Sequence, residues 1–147
     1  MILEHPEYKR PESVLVIVHT TTGEVLMLRR VEPADFWQSV TGSLRWGETA
    51  AAAARRELRE ETGIDLEPLD CRLSHRFPIL PAWRRRYAPD VTTNLEHLFR
   101  VECPGRPAVT LNPLEHGSYR WLPREEAAGL ASSWTDRESL LRFVPSR

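Results

Sequence analysis

Glu57, Glu60 and Glu61 place three carboxylates within five residues of the stretch GSLRWGETAAAAARRELREETGI, residues 42–64. On a helix turning about 100° per residue, Glu61 falls about 40° to one side of Glu57 and Glu60 about 60° to the other, so all three share an arc of about 100°. Like charges three and four apart repel, by about a few tenths of a kcal/mol per pair. One reading is a solvated, charge-laced surface helix. The other is a cation site. Hard divalent cations take oxygen ligands, and Mg²⁺ is shared between a few carboxylates, waters and substrate phosphates. A cation offsets the repulsion, neutralises a polyphosphate and acidifies an attacking water. Two features favour the cation: the shared arc, and Gly42 and Gly47 in the preceding loop, which permit close backbone approach. Leu58 and Ala51 lie to one side of the arc as anchors on a core. Arg56 lies one turn before Glu60 and can pair with it.

The elements that must position this helix follow from patterning. The helix runs from Thr49 to Thr62, because alanine has the best helix propensity and Gly63 stands where a glycine cap belongs. SVLVIVHT (13–20) is β-branched and apolar, TTGE is a turn, and VLMLRR (25–30) completes a predicted hairpin. FWQSVTG (36–42), CRLSHRFPIL (71–80), TNLEHLFRVEC (93–103) and SYRWL (118–122) are further predicted strands. PREEAAGL opens with proline and acids, a helix-entry pattern. TDRESLLRFV has Thr135 and Glu138 in capping-box spacing ahead of helical apolar periodicity. The mixture is α/β or α+β in one domain, residues 1–147.

Bulk properties exclude several classes. A length of 147 residues suits one sizeable core. A net charge of −1 with intermixed signs gives no general attraction to nucleic acid or to an acidic membrane. Cys71 and Cys103 are too few for a disulfide framework. No apolar run approaches the roughly 20 residues of a membrane span, and MILEHPEYKRPES has no signal-peptide core. A cytoplasmic setting is the expectation, as a monomer or homodimer. No Gly-x-x-x-x-Gly-Lys-Ser/Thr loop exists. Lys9 is the sole lysine among 20 basic residues.

Gly42, Glu48, Arg56, Glu57, Leu58, Glu60, Glu61, Gly63 and Ile64 match, without a mismatch, the signature of the Nudix hydrolases. The resemblance implies the Nudix fold, an α/β/α sandwich around a mixed sheet. It also implies divalent-metal-dependent hydrolysis of a nucleoside diphosphate linked to another group. Mg²⁺ is the implied cofactor and Mn²⁺ an alternative. Carried over by position, Glu57 and Glu61 are metal ligands and Glu60 is a third ligand or base. Arg56 and Glu48 orient the helix and the loop.

The flanks YKRPESVLVIVHT, FWQSVTGS, RRRYAPDVTTNLEH, EHGSYRWL and SWTDRESLLRFV are similar to the folate-pathway branch, the dihydroneopterin triphosphate pyrophosphohydrolases. That likeness implies a pterin triphosphate substrate losing pyrophosphate. It implies substrate contacts from Lys9, Arg30, Thr41, Phe77, Pro78, Ile79, Leu80 and Ser133, and a further metal ligand in Glu115. Each has an ordinary alternative. Lys9 could be a solvated lysine, Arg30 a partner of Glu32, Thr41 a turn cap and Ser133 a helix-entry residue. Phe77 and Ile79 could be core on one strand face, and Glu115 a loop charge. Arg84, Arg85 and Arg86 form a basic loop open to triphosphate, solvent or a second copy. His75, His97 and His116 have no metal-ligand spacing and read as structural. Glu96 and Glu102 read as tolerant positions. Thr41-Gly42-Ser43 replaces the common Pro-Gly-Gly, as in the folate branch, while Arg45 and Trp46 replace frequent acids and leave the loop's conformation open. The alternatives in function are a pyrophosphatase for nucleoside triphosphates or dinucleoside polyphosphates, and a non-catalytic Nudix-fold binding module. Retained helix carboxylates argue against the last.

Overall fold

The structure is a computed structural model that describes residues 7–146. Its strands are β1 Glu12–Thr20, β2 Glu24–Arg30, β3 Trp37–Gln38, β4 Val40–Ser43, β5 Leu69–Pro78, β6 Thr93–Cys103 and β7 His116–Pro123. The helices are α1 Ala50–Thr62, α2 Arg124–Leu130 and α3 Trp134–Phe143, with a 3-10 turn at Pro81–Arg86. One mixed sheet runs β3-β2-β1-β6-β5, with β4 added to β1 and β7 to β2. β1 and β6 are parallel along their whole length, from Glu12 opposite Leu95 to Thr20 opposite Cys103.

Alternation along β1 splits the interior in two. Val14, Val16 and Val18 join Phe99 and Val101 beneath Ala53, Ala54 and Leu58 of α1. Leu15, Ile17 and Leu98 face Ala127, Ala128, Leu140 and Val144 of α2 and α3. The result is the expected α/β/α arrangement. Leu58 is fully buried, which contributes about 2 kcal/mol and outweighs the repulsion of any one glutamate pair on the same helix.

Several expectations are corrected. The β1–β2 hairpin is barely a ladder: one registered pair, His19 with Val25, joins the strands. β4 occupies the β1 edge from Ser13 to Val16, and β2 ladders instead with β7. The strand expected at 36–42 is two strands broken at Ser39. Its backbone N–H donates to Asp136 Oδ2 at 2.7 Å and its hydroxyl to Oδ1 at 2.8 Å, so a side chain replaces a ladder partner there. The strand expected through residue 80 ends at Pro78. Thr135 is no cap: α3 begins at Trp134 after Ser133, and Thr135 is buried with its hydroxyl 2.8 Å from that of Ser133. Ala51 is exposed, because the buried stripe of α1 runs through Ala53, Ala54, Leu58, Glu61 and Thr62.

Candidate active site

α1 is fixed at both ends. Thr49 accepts from the Ala52 N–H at 3.2 Å, and Gly63, at φ 77°, donates to the Arg59 carbonyl at 2.8 Å. This left-handed cap is easy only for glycine. The three glutamates then differ sharply in exposure. Glu61 is 1% exposed, the Glu57 side chain 13% and the Glu60 side chain 48%. A shared arc is thus a gradient, from Glu61 against the sheet to Glu60 at the rim.

Glu57 reaches over β4. The missing Cβ of Gly42 leaves the room it fills: an added Cβ would lie 2.3 Å from Glu57 Cδ. The Glu61 carboxyl faces Glu57, to which it donates when protonated, and it accepts the Thr41 backbone N–H when ionised. Burial first, and then the Glu57 carboxyl, push Glu61 well above the usual carboxylate range. Its Oε1 is buried with no hydrogen-bond partner. His116 Nε2 stands 3.9 Å from that oxygen and 3.2 Å from Gln38 Nε2. Burial, and then Arg30, push His116 down to about 4, so it is a neutral neighbour near neutral pH.

Arg56 organises the other side. Its guanidinium donates to both Glu48 oxygens at 2.8 Å, to Glu57 at 2.6 Å, to Glu60 at 3.2 Å and to the Ser43 carbonyl at 3.2 Å. Those Arg56 hydrogen bonds hold Glu48 below its ordinary value. The loop left open by Arg45 and Trp46 is pinned. Trp46 Nε1 donates to the Tyr8 carbonyl at 2.9 Å, and Arg10 donates to the Arg45 and Glu48 carbonyls, each at 3.0 Å. The Lys9 N–H donates to the Arg86 carbonyl at 2.8 Å. The segment around Lys9 is thereby strapped between the loop and the 3-10 turn.

Cations converge on these acids. Lys9 remains accessible, yet crowding around its ammonium, then Arg86 and Arg30, lower its pKa, while Glu57 and Glu115 act to raise it. Arg30 is lowered by burial and by Arg86, with Glu61 and Glu115 opposing. It does not pair with the Glu32 carboxylate: Nε donates to the Glu32 carbonyl at 2.9 Å, and the guanidinium lies 5.5 Å from the Trp83 ring centre. Glu115 sits in the loop before β7, where its carbonyl accepts the Val31 N–H at 2.9 Å.

The fold also places the remaining candidates. The Thr41 hydroxyl donates to the Val14 carbonyl at 2.8 Å, inside the sheet rather than at a turn. Phe77 is half-buried, Pro78 and Leu80 are exposed, and Ile79, just beyond the strand, is buried. Ser133 opens α3 and makes no capping hydrogen bond of its own. Glu60, at the rim, pairs with Arg45 and shares Arg56 Nη1 with Glu57. Glu102 is exposed as expected, but Glu96 is 6% exposed and is no surface residue. Of the basic loop it is Arg86 that stands beside Lys9 and Arg30, in line with the triphosphate reading of that loop, while Gln38, His116 and Trp83 carry no signal for this site in their sequence context. His116 reads as structural in sequence, and Gln38 and Trp83 gain meaning only from the topology.

The carboxylates of Glu57 and Glu115 beside Glu61 offer oxygen donors, and the orphaned Glu61 Oε1 is buried without a partner. That set fits a hard divalent cation. Among the described residues no three such side chains are drawn into a ready metal cage.

A NUDIX domain profile matches residues 9–143. The chain belongs to the Nudix family. Nudix hydrolases generally use divalent metal ions. The chain is 44% identical over 143 residues to the dihydroneopterin triphosphate diphosphatase of Escherichia coli K12, covering 93% of this chain and 94% of that one. It is 36% identical over 144 residues to the enzyme of the same name from Haemophilus influenzae, covering 94% and 90%. Among solved structures it is similar to the E. coli dihydroneopterin triphosphate pyrophosphohydrolase, with a TM-score of 0.87 at 44% identity over 93% of this chain and 97% of that one. No helix among the described residues is long and apolar enough to cross a membrane.

Proposed function

We propose that this Nudix hydrolase cleaves dihydroneopterin triphosphate to dihydroneopterin monophosphate and pyrophosphate, in the cytoplasm and in folate biosynthesis. The observation that carries the reading is the meeting of Glu57, Glu61 and Glu115 with Lys9, Arg30 and Arg86. Acids suited to a divalent cation face bases suited to a triphosphate. The near full-length likeness to the E. coli and H. influenzae enzymes supports the pterin as the leaving side.

Glu57, Glu61 and Glu115 would hold Mg²⁺, or Mn²⁺ in its place, with Glu60 as a rim ligand or base. When bound, the cation supplies charge neutralisation at the phosphates and a more acidic water. Arg56 keeps Glu57 and the loop in register. Lys9 and Arg30 bind phosphate oxygens. Thr41 fixes Glu61 through its backbone and lies toward the substrate. Phe77, Pro78, Ile79, Leu80 and Ser133 bound the ring.

The test is a time course of the pure protein with Mg²⁺ and a panel of triphosphates, separating pyrophosphate from orthophosphate. Dihydroneopterin triphosphate is expected to be turned over with the highest kcat/KM, and pyrophosphate to appear without prior orthophosphate. Orthophosphate appearing first refutes the reaction class. A nucleotide outperforming the pterin refutes the substrate.

Glu115 supplies a carboxylate from outside the helix, near enough for its charge to act on Glu61, Lys9 and Arg30. A group acting mainly in the transition state changes kcat more than KM. Glu115→Gln is therefore expected to lower kcat by about 100-fold and to leave KM within a few-fold. Exposed Glu102 is the control. Steady-state kinetics in which Glu115→Gln and Glu102→Gln behave alike would reduce Glu115 to a surface charge.

A further inference from the structure

One buried acid has no part in the chemistry above. Glu96, on β6, is 6% exposed, and its Oε1 has no hydrogen-bond partner. Strand registers set it in a row with Ser13 of β1 and His75 of β5, and place Asn94 beside Phe77 in the neighbouring row. Leu98, two residues on, belongs to the core beneath α2 and α3. Period-two alternation therefore puts Asn94 and Glu96 on that same face. Asn94 is 4% exposed; its Nδ2 donates to Ser13 Oγ at 2.8 Å, and its Oδ1 has no partner. Two orphaned acceptors thus stand about 7 Å apart along one strand.

The first turn of α3 lies over them. The Trp134 ring packs edge-on to His75 with centres 5.5 Å apart, and Thr135 hydrogen-bonds the Glu96 carboxyl. Asp136 accepts from Ser39 and, as an acceptor itself, satisfies neither orphan. Burial pushes Glu96 up to about 7, against the Thr135 hydrogen bond and with Asp136 adding to the rise. A buried acceptor without a partner is unfavourable, and native chains tolerate few of them. Two on one strand point to a ligand that brings donors. The aromatic neighbours Phe77 and Trp134 suit a flat one.

We infer that Glu96 is the specificity-determining residue that reads the substrate's ring. Its carboxylate accepts the adjacent ring N–H and amino group of a 2-amino-4-oxopyrimidine edge, and Asn94 takes a further ring donor. Pterin and guanine share that edge; adenine lacks it. A carboxylate matches two parallel donors with two acceptors, whereas glutamine offers one acceptor and one clashing donor. The inference rests on the pterin reading for the name of the ring alone, since the donor pair is what Glu96 selects.

The test compares parent and Glu96→Gln on GTP and ATP, which differ in this edge and share the triphosphate. It is joined by fluorescence titration of metal-free protein with phosphate-free dihydroneopterin. A site built around hydrogen bonds discriminates strongly when they are lost. Glu96→Gln is expected to lower the GTP-to-ATP ratio of kcat/KM about 100-fold, mainly through KM, and to weaken dihydroneopterin binding about as much. Glu96→Asp, which keeps the charge, should give an intermediate loss and also serves if the glutamine variant does not fold. Equal losses on GTP and ATP would make Glu96 structural. A ratio and a dihydroneopterin affinity within threefold of the parent would overturn the inference. If the parent cleaves GTP but not dihydroneopterin triphosphate, the proposed function falls while the GTP-to-ATP ratio still decides Glu96.

Discussion

Glu61→Gln is expected to lower turnover by about 1,000-fold, roughly 4 kcal/mol of transition-state stabilisation, without unfolding the chain. Glutamine keeps the shape and can still accept the Thr41 N–H, and it removes a carboxyl whose burial opposes ionisation. Metal-free Glu61→Gln should therefore melt no lower than the parent. What it loses is the charge that a cation needs. The parent's melting temperature should rise with millimolar Mg²⁺ by mass action, and that rise should vanish in the variant. Glu57→Gln should behave alike in turnover, since its carboxylate completes the same pair. Near-parental rates at saturating Mg²⁺ for either variant would remove the pair from the metal site.

Gly42→Ala should lower turnover by about 100-fold with little change in melting temperature. The new methyl carbon would lie 2.3 Å from Glu57 Cδ and 2.5 and 2.6 Å from its two oxygens, all closer than atoms can pack. Carboxylate is the far end of a flexible side chain, so the clash is relieved by moving Glu57 rather than the backbone. The fold survives and the Glu57 carboxylate is displaced from both Glu61 and Arg56. Geometry held to about an ångström matters in such a site. Kinetics within threefold of the parent, with a crystal structure showing Glu57 moved, would show that its seat on β4 is dispensable.

The part of this molecule encoded by local pattern was the part a sequence could disclose. The alanine run, Thr49 and Gly63 define α1 through propensity and caps, and these terms act within a few residues. The alternation of β1 and β6 likewise announces two buried faces. Strand partners were less accessible. The turn at TTGE does join β1 and β2 in an antiparallel hairpin, but β4 returns to claim the rest of that edge, Ser13 to Val16, a competition between distant segments that no short window of sequence contains. Ser39 breaks a strand because Asp136, far along the chain, supplies its hydrogen bonds. Glu96 did leave a signal. In TNLEHLF it occupies the inward phase set by Leu98, and a charged residue in an inward phase is the informative exception to burial rules. A lone glutamate in a strand is usually at a surface, which is why sequence alone reads Glu96 as tolerant.

Lys9 has a practical consequence. It is the chain's only lysine, and its ammonium is made less basic by crowding and by Arg86 and Arg30. Any reagent that acylates, alkylates or forms an imine with lysine thus has one side chain to attack, at the mouth of the acidic cluster, and a share of it is unprotonated at lower pH than usual. Selective isotope labelling of lysine gives a single ε-ammonium resonance beside the same groups. The chain carries a built-in, one-point reporter on the proposed phosphate site, with no cysteine to introduce and no competing surface amine side chain to remove.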